Sequence, residues 1–163
     1  MTCAECGGKL RSKKENYRYL ACGLPNVTLT GVEVRRCATC GDHEVVLPHI
    51  EKLHEALANA IVRHEARLSS SEVRFLRKYL GYSGVDFANL IGVSPETVSR
   101  WENKKESMGS STERLLRLLV VHKTPIQEYP IEMLTRISQT AQTKPIGLRL
   151  TGDGWIEQGL VAA

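Results

Sequence analysis

The sequence predicts an α+β protein in which a small β-rich module with four cysteines precedes an all-helical domain. Three observations support this prediction. Two Cys-x-x-Cys pairs, which begin at Cys3 and at Cys37, flank β-prone runs in the first part of the chain. Apolar residues recur at helical spacing from Pro48 onward. Residues 68–125 then carry explicit helix start and stop signals, which divide this stretch into short helices.

Composition and charge restrict the class of protein. The 163 residues are 42% hydrophobic and 25% charged, with a formal net charge of +4. Apolar runs stay well below the roughly 18 residues that span a bilayer, and the first residues lack the apolar segment of a secretory signal. We therefore expect a cytoplasmic protein without a membrane segment. Residues 68–125 contain nine Lys and Arg against six Asp and Glu, a bias that permits nucleic-acid binding without establishing it.

The β-rich module is predicted to cover residues 1–46. Its β-prone runs, Tyr17–Ala21 and Val27–Val34, are separated by turn-forming residues. Residues 47–67 are predicted to form a linking helix, because apolar side chains alternate with charged ones at helical spacing between Pro48 and Ala66. This helix is expected to connect the two halves of the chain.

The first and last helices of the helical domain are predicted from their capping signals. Ser69 and Glu72 form the pattern of a capping box, in which each side chain satisfies a backbone N–H group at the helix start. Ser110 and Glu113 repeat this pattern before a leucine-rich helix predicted from Ser111 to His122.

Two further helices are predicted between these, separated by a three-residue turn. The first runs from Gly84 to Ile91, with Ser83 as its N-cap and Gly92 as its stop. The next begins after Ser94, which caps it, and has Pro95 at its first position. Two short helices joined by so short a turn are the arrangement of a helix-turn-helix.

Residues 126–163 are predicted to be a C-terminal extension, which we interpret as a dimerisation or partner element. A helix is predicted from Pro130 to Gln142. Residues from Ile146 to Gln158 fit either a β-hairpin about Thr151–Gly154 or a loose tail.

The two Cys-x-x-Cys pairs predict a metal site. Cysteines separated by two residues supply two ligands from one tight turn, and glycines follow both pairs directly. In a reducing compartment such pairs indicate metal or redox chemistry ahead of structural disulfides. We predict one structural Zn²⁺ per chain, with a pair of dithiols or a different metal as the alternatives. The predicted ligands are Cys3, Cys6, Cys37 and Cys40.

A closed shell of four thiolates leaves no open coordination position, so this site predicts no catalysis and no enzyme. His43 and His49 lie near the second pair and are interpreted as surface histidines. Cys22 is interpreted as a small buried residue.

Helical periodicity gives the helix after Ser94 an inward and an outward side. Val98 and Trp101 mark the inward side, whereas Glu96 and Arg100 lie on the outward side. Short polar groups and an arginine on one face are what a reader of the DNA major groove needs, and Arg100 is the best candidate for a bidentate contact to guanine. The predicted DNA-contacting residues are Ser94, Glu96, Thr97, Ser99, Arg100, Asn103 and Lys104.

The segment from Ile91 to Asn103, IGVSPETVSRWEN, resembles the Xre/Cro family of helix-turn-helix regulators, whose pattern is LGVS, two residues, then TVSRWENG. The resemblance implies a lambda-repressor-like fold, with Trp101 in the core and Glu102 in a structural ion pair or hydrogen bond. Two departures from the family pattern stand out. Gly84 occupies the position of a glutamine that contacts a phosphate, and Lys104 replaces the usual glycine after the second helix of the motif.

The order of modules resembles the MqsA/YgiT-type antitoxins of type II toxin-antitoxin systems over about residues 1–125. This resemblance implies that the zinc module neutralises a ribonuclease toxin, while the helix-turn-helix half forms a homodimer and represses its own operon at a palindromic operator. At the position of Glu96, that family has a side chain with a neutral amide group that contacts a base. A carboxylate prefers the amino group of cytosine, so the operator sequence is expected to differ.

Two other functions stay open at this point. The first is a stand-alone regulator whose zinc module serves folding or dimerisation and that has no toxin partner. The second is an enzyme or redox switch that uses the dithiols. For each of these functions in which the chain binds zinc, we expect metal removal to unfold residues 1–46 and to leave the helical half largely folded.

Overall fold

The computed structural model describes residues 1–123 and 141–158. The helix predicted from Pro130 to Gln142 lies almost wholly outside these residues. The described elements are β1 Leu10–Arg18, β2 Val27–Cys37, β3 His43–Val46, α1 Ile50–Arg63, α2 Ser70–Tyr79, α3 Gly84–Ile91, α4 Pro95–Glu102, α5 Ser110–Lys123, β4 Ile146–Thr151 and β5 Gly154–Glu157.

The strands form one five-stranded sheet that combines both ends of the chain. β1 runs antiparallel to β2 along nearly its whole length. On its other side, β2 pairs with two strands: its last part is antiparallel to β3, and its first part is parallel to β4. β5 then pairs with β4 in an antiparallel hairpin. Of the two alternatives for the residues from Ile146 to Gln158, the structure thus has the hairpin, which extends the sheet of the four-cysteine module.

The prediction of a strand at Tyr17–Ala21 was largely wrong, because β1 occupies Leu10–Arg18. β1 is an edge strand of the described sheet, and most of its side chains are exposed on both faces. Such a strand does not alternate apolar and polar residues, and lysines are common on exposed edges. Its sequence, LRSKKENYR, therefore lacks the usual strand pattern.

α1 packs against both the sheet and the helical domain. Its buried face includes Leu53, Leu57 and Ile61, and it contacts α2 and α5 on one side and β4 and β5 on the other. The indole N–H of Trp155, on β5, donates to the carbonyl of Pro48 at 3.1 Å. One continuous apolar core consequently runs from the sheet through α1 into the helical domain.

Most of the predicted helix caps of the helical domain are present in the structure. Ser69 and Glu72 form the predicted capping box, and the hydroxyl of Ser83 caps α3. Gly92 ends α3 in the left-handed conformation, with φ of 73°. The second predicted capping box was wrong, because the carboxylate of Glu113 is buried and accepts the backbone N–H of a residue before α2.

Glu113 belongs to a buried polar network between α5 and the end of α1. It pairs with Arg117 at 3.0 Å and with Arg67. The guanidinium of Arg117, whose side chain is 0% exposed, also donates to backbone carbonyls that follow or end α1. These are the carbonyls of Ile61, Val62, His64 and Ala66. None of the helices in the described parts of the chain is both long and apolar enough to cross a membrane.

Candidate nucleic-acid interface and metal centre

Each Cys-x-x-Cys pair forms a tight turn, which we call a knuckle. In the first knuckle the N–H of Gly7 donates to the carbonyl of Cys3 at 2.9 Å, and in the second the N–H of Gly41 donates to that of Cys37 at 3.1 Å. Both glycines have positive φ, 70° and 78°. Side chains other than hydrogen are strained in this conformation, so each turn depends on its glycine.

The two knuckles bring four sulfur atoms together. The pairing of Leu10 with Cys37 joins the start of β1 to the end of β2, which sets one knuckle against the other. All four Sγ atoms lie within 4.8 Å of one another. Sγ–Sγ distances of 3.7 Å (Cys3 to Cys40) and 3.4 Å (Cys6 to Cys37) are close to the edge of about 3.8 Å expected for a tetrahedron of thiolates around zinc. The donor set and its size thus fit one thiophilic ion.

The electrostatics of the cluster also favour a cation. Backbone N–H groups of Cys40 and Thr39 lower the pKa of Cys37 to about 6. The pKa of Cys40 is raised to about 12: the backbone N–H of Asp42 acts to lower it, but the neighbouring thiols of Cys6 and Cys37 and burial outweigh that effect. Four thiolates this close repel one another, and a divalent cation between them would offset the repulsion.

Gly8 lies where the two knuckles touch. A Cβ atom at this position would be 2.7 Å from Thr39 Oγ1 and 3.0 Å from Cys37 Sγ. Replacing Gly8 with alanine is therefore expected to push the knuckles apart and to weaken metal binding by about 1–3 kcal/mol, the usual cost of overpacking. Competition with a chromophoric zinc chelator measures this loss. Gly84→Ala is the control, because its added Cβ meets no atom within 4 Å; equal zinc affinity for the two variants would contradict the expectation.

His43, His49 and Cys22 do not belong to the cluster of four sulfur atoms. His43 and His49 are exposed, and neither contributes to the group of potential ligands found among the described residues. The thiol of Cys22 is partly buried and donates to the carbonyl of Tyr19 at 3.1 Å, and burial raises its pKa. His43 and His49 thus lie on the surface, as interpreted, whereas Cys22 is only partly buried.

The inward side of α4 packs against the rest of the helical domain. Val98 and Trp101 are 2% and 5% exposed. Glu102 receives two hydrogen bonds from Arg77, at 2.5 and 3.0 Å, and one from Arg74 at 3.1 Å. Trp101 thus lies in the core and Glu102 in an ion pair, as the family resemblance implied. The two arginines were not identified from the sequence, because an arginine on a short amphipathic helix usually indicates an exposed face.

Glu102 is ionised in spite of its burial. Removal from water acts to raise its pKa, but the guanidinium groups of Arg77 and Arg74 outweigh this effect and hold the pKa below its ordinary value. Arg77 also donates to the carbonyl of Tyr82 at 2.8 Å, ahead of α3. The same side chain therefore ties α2 to both helices of the α3–α4 pair.

The predicted DNA-contacting residues lie on α4 or directly beside its two ends. Thr97 is half-buried, and the others are exposed: Ser94, Glu96, Ser99, Arg100, Asn103 and Lys104.

Several of these side chains already have partners within the protein. The Ser94 hydroxyl accepts the N–H of Thr97 at 3.2 Å and so caps α4. The amide of Asn103 donates to the carbonyl of Ser99 at 2.8 Å and accepts from Arg74 at 2.9 Å. Asn103 is thereby held at the end of α4, which leaves it less free to turn toward a ligand than the Arg100 side chain, 59% exposed.

Lys104 ends α4 in a conformation that favours glycine. Its φ is 60°, and the next N–H, that of Lys105, donates to the carbonyl of Arg100 at 3.0 Å. This is the bond of a Schellman motif, in which glycine is the usual residue at the left-handed position. A lysine there is strained.

Replacing Lys104 with glycine is expected to raise the free energy of unfolding by about 1 kcal/mol, because the strain is relieved. Because Lys104 is predicted to contact a phosphate, the same change is expected to weaken binding to all duplex sequences alike and to lower the salt slope of binding by about 1. Urea denaturation and DNA titrations at several salt concentrations measure the two effects. Stabilisation with unchanged DNA affinity would remove Lys104 from the interface.

Residues 73–129 match the family model described as helix-turn-helix. The chain contains a helix-turn-helix domain. α3 and α4 are its central helices, and residues 92–94 are the turn between them. A helix-turn-helix domain implies DNA binding through the second of these helices.

No curated protein and no solved structure matches the chain. The predicted fold class, a β-rich region with four clustered cysteines followed by this domain, is confirmed.

Proposed function

We propose that this protein is a sequence-specific DNA-binding repressor that acts as the antitoxin of a type II toxin-antitoxin system and controls its own operon. The observation that carries the DNA-binding part is the orientation of α4. Its apolar side chains Val98 and Trp101 are buried, whereas Glu96 and Arg100 are exposed. A helix fixed in this way presents its polar side to the edges of bases in the major groove.

The proposed DNA-bound form is a homodimer on a palindromic operator. A single helix of this length contacts a few base pairs, and a dimer places two such helices in successive major grooves, about 34 Å apart. Half-sites one helical turn apart are therefore the expected operator design. The protein is proposed to work in the cytoplasm, where it meets this DNA, and to have no enzymatic activity.

The metal centre is proposed to be one structural Zn²⁺ per chain, held by Cys3, Cys6, Cys37 and Cys40. Four thiolates complete the coordination shell, so the ion would fix the two knuckles and would supply no reactive water.

The antitoxin part of the proposal is supported by the order of modules, which resembles MqsA/YgiT-type antitoxins. The four-cysteine module is proposed to bind a ribonuclease toxin, while α4 remains available for DNA. Co-expression with the product of a neighbouring gene tests this: a stable complex and loss of its RNA cleavage support the proposal. The absence of a ribonuclease-like neighbour would favour a stand-alone regulator.

Replacing Arg100 with alanine is the direct test of base reading. The change is expected to cost about 1–3 kcal/mol of binding and to relax the preference at one base pair, because a bidentate contact to guanine is lost. Binding to an operator selected from randomised duplexes and to random DNA is compared by fluorescence anisotropy. Equal losses on both DNAs would exclude Arg100 as a base reader and leave it as a phosphate contact.

A further inference from the structure

The loop that follows α4 folds back beside the proposed base-reading side chain. The hydrogen bond from the N–H of Lys105 to the carbonyl of Arg100 turns the chain toward the outward side of α4. Lys105 then borders a surface notch of about 460 Å³ together with Glu96, Ser99 and Arg100. The carboxylate of Glu106 lies 4.0 Å from Nη1 of Arg100.

We propose that Glu106 is a positioning residue for Arg100, whose guanidinium it holds in the orientation that a bidentate contact to guanine requires. This inference rests on the proposed function. A guanidinium has five N–H donors. Two of them contact O6 and N7 of guanine, so others remain for a carboxylate on the opposite side. An arginine oriented before binding loses less conformational freedom when it meets its base.

Glu106 is better placed for this role than Glu96, the other acidic residue near Arg100. Among the residues that the structure describes, Glu106 is the acidic residue within ion-pair distance of Arg100. Glu96 lies one turn before Arg100 at the start of α4, where its own backbone N–H and then the Ser94 hydroxyl, ahead of Arg100, lower its pKa. The groups that act most strongly on its carboxylate are thus at the beginning of the helix.

The size of the expected effect follows from the exposure of the pair. Arg100 and Glu106 are 59% and 51% exposed, so their attraction in the free protein is screened by water. In the groove of a duplex the pair would lose part of its water, which strengthens the interaction. We expect the preference for guanine at the base pair read by Arg100 to fall about two- to fivefold when Glu106 is neutralised.

The test compares Glu106→Gln with Glu51→Gln in the full-length protein, because Glu51 is an exposed glutamate at the start of α1 and is not a predicted DNA contact. The probe is a duplex selected from a randomised library, and the base pair read by Arg100 is the one whose preference disappears in Arg100→Ala. Each glutamine variant removes one negative charge, so an effect of net charge alone would be the same in both. Only Glu106→Gln should lower the guanine preference at that base pair, measured as a ratio of dissociation constants for guanine and its replacements.

Three results would overturn the assignment. The first is a full guanine preference in Glu106→Gln, and the second is an equal loss of that preference in Glu51→Gln. The third is a further change in the ratio when Glu106→Gln is added to Arg100→Ala, because a residue that acts through Arg100 has no effect without it. A wild-type protein that binds no selected duplex more tightly than random DNA would instead refute the proposed function. Thermal unfolding of the variants excludes a general loss of structure.

Discussion

Replacing Arg117 with leucine is expected to destabilise the protein by about 3–5 kcal/mol, the usual cost of breaking a buried ion pair from one side. The Arg117 side chain is wholly buried, and Glu113, its partner, is 1% exposed. Without the guanidinium, the carbonyls of Val62, His64 and Ala66 lose their side-chain donor, and the Glu113 carboxylate loses one of its two cationic partners. Each such buried group left without a partner costs free energy.

Urea denaturation followed by circular dichroism measures this loss. Arg114→Leu is the matched control, since Arg114 is an exposed arginine on the same helix, and its replacement should change the free energy of unfolding by less than about 0.5 kcal/mol. The double variant Arg117→Leu with Glu113→Leu should lose less free energy of unfolding than the two single variants lose in sum. Both charges of the pair are then removed together, so neither is left buried without its partner. A loss for Arg117→Leu no larger than that of the control would show that the network carries little stability.

Features that depend on neighbours in sequence were predictable. The capping box at Ser69 and the cap at Ser94 use atoms within three residues of one another. The knuckles likewise form within single turns, and their matched spacing indicated that they belong together. The orientation of α4 followed from helical periodicity alone, because Val98 and Trp101 are apolar residues among polar ones.

Features that depend on distant parts of the chain were missed. β4 pairs with β2 across more than a hundred residues, and a parallel partner leaves no local turn signal in the sequence. The sequence around Glu113 has the pattern of a capping box, although the Glu113 carboxylate lies in the core. The distinction depends on Arg67 and Arg117, which tertiary packing brings to its carboxylate.

The shared sheet changes what metal removal should do. From the sequence alone, residues 1–46 would unfold as one unit. In the structure, the first part of β2, Val27–Thr30, pairs with β4, and its Val27 and Leu29 side chains are 0% exposed within the core that includes α1. The last part of β2, from Glu33 onward, pairs instead with β3 and ends in the second knuckle.

Removal of a bound ion is therefore expected to unfold the knuckles, the first part of β1, the last part of β2 and β3, while the rest of the sheet persists. Structural zinc contributes on the order of 10 kcal/mol in small zinc-binding domains, so this local effect should be the largest of those expected here. The boundary of unfolding should fall inside β2, near Gly31, where the partner changes from β4 to β3.

Hydrogen exchange with and without a chelator locates that boundary. After chelation, peptides from residues 1–12 and 33–46 should lose protection, whereas peptides from residues 26–31, 50–63 and 95–102 should keep it, and operator binding should persist. Cys37→Ser should reproduce the chelated pattern without chelator, while Cys22→Ser, outside the cluster, should behave like the wild type. Loss of protection in α4 on chelation would mean that the shared α1 core transmits the unfolding into the helix-turn-helix domain, and DNA binding would then depend on the metal.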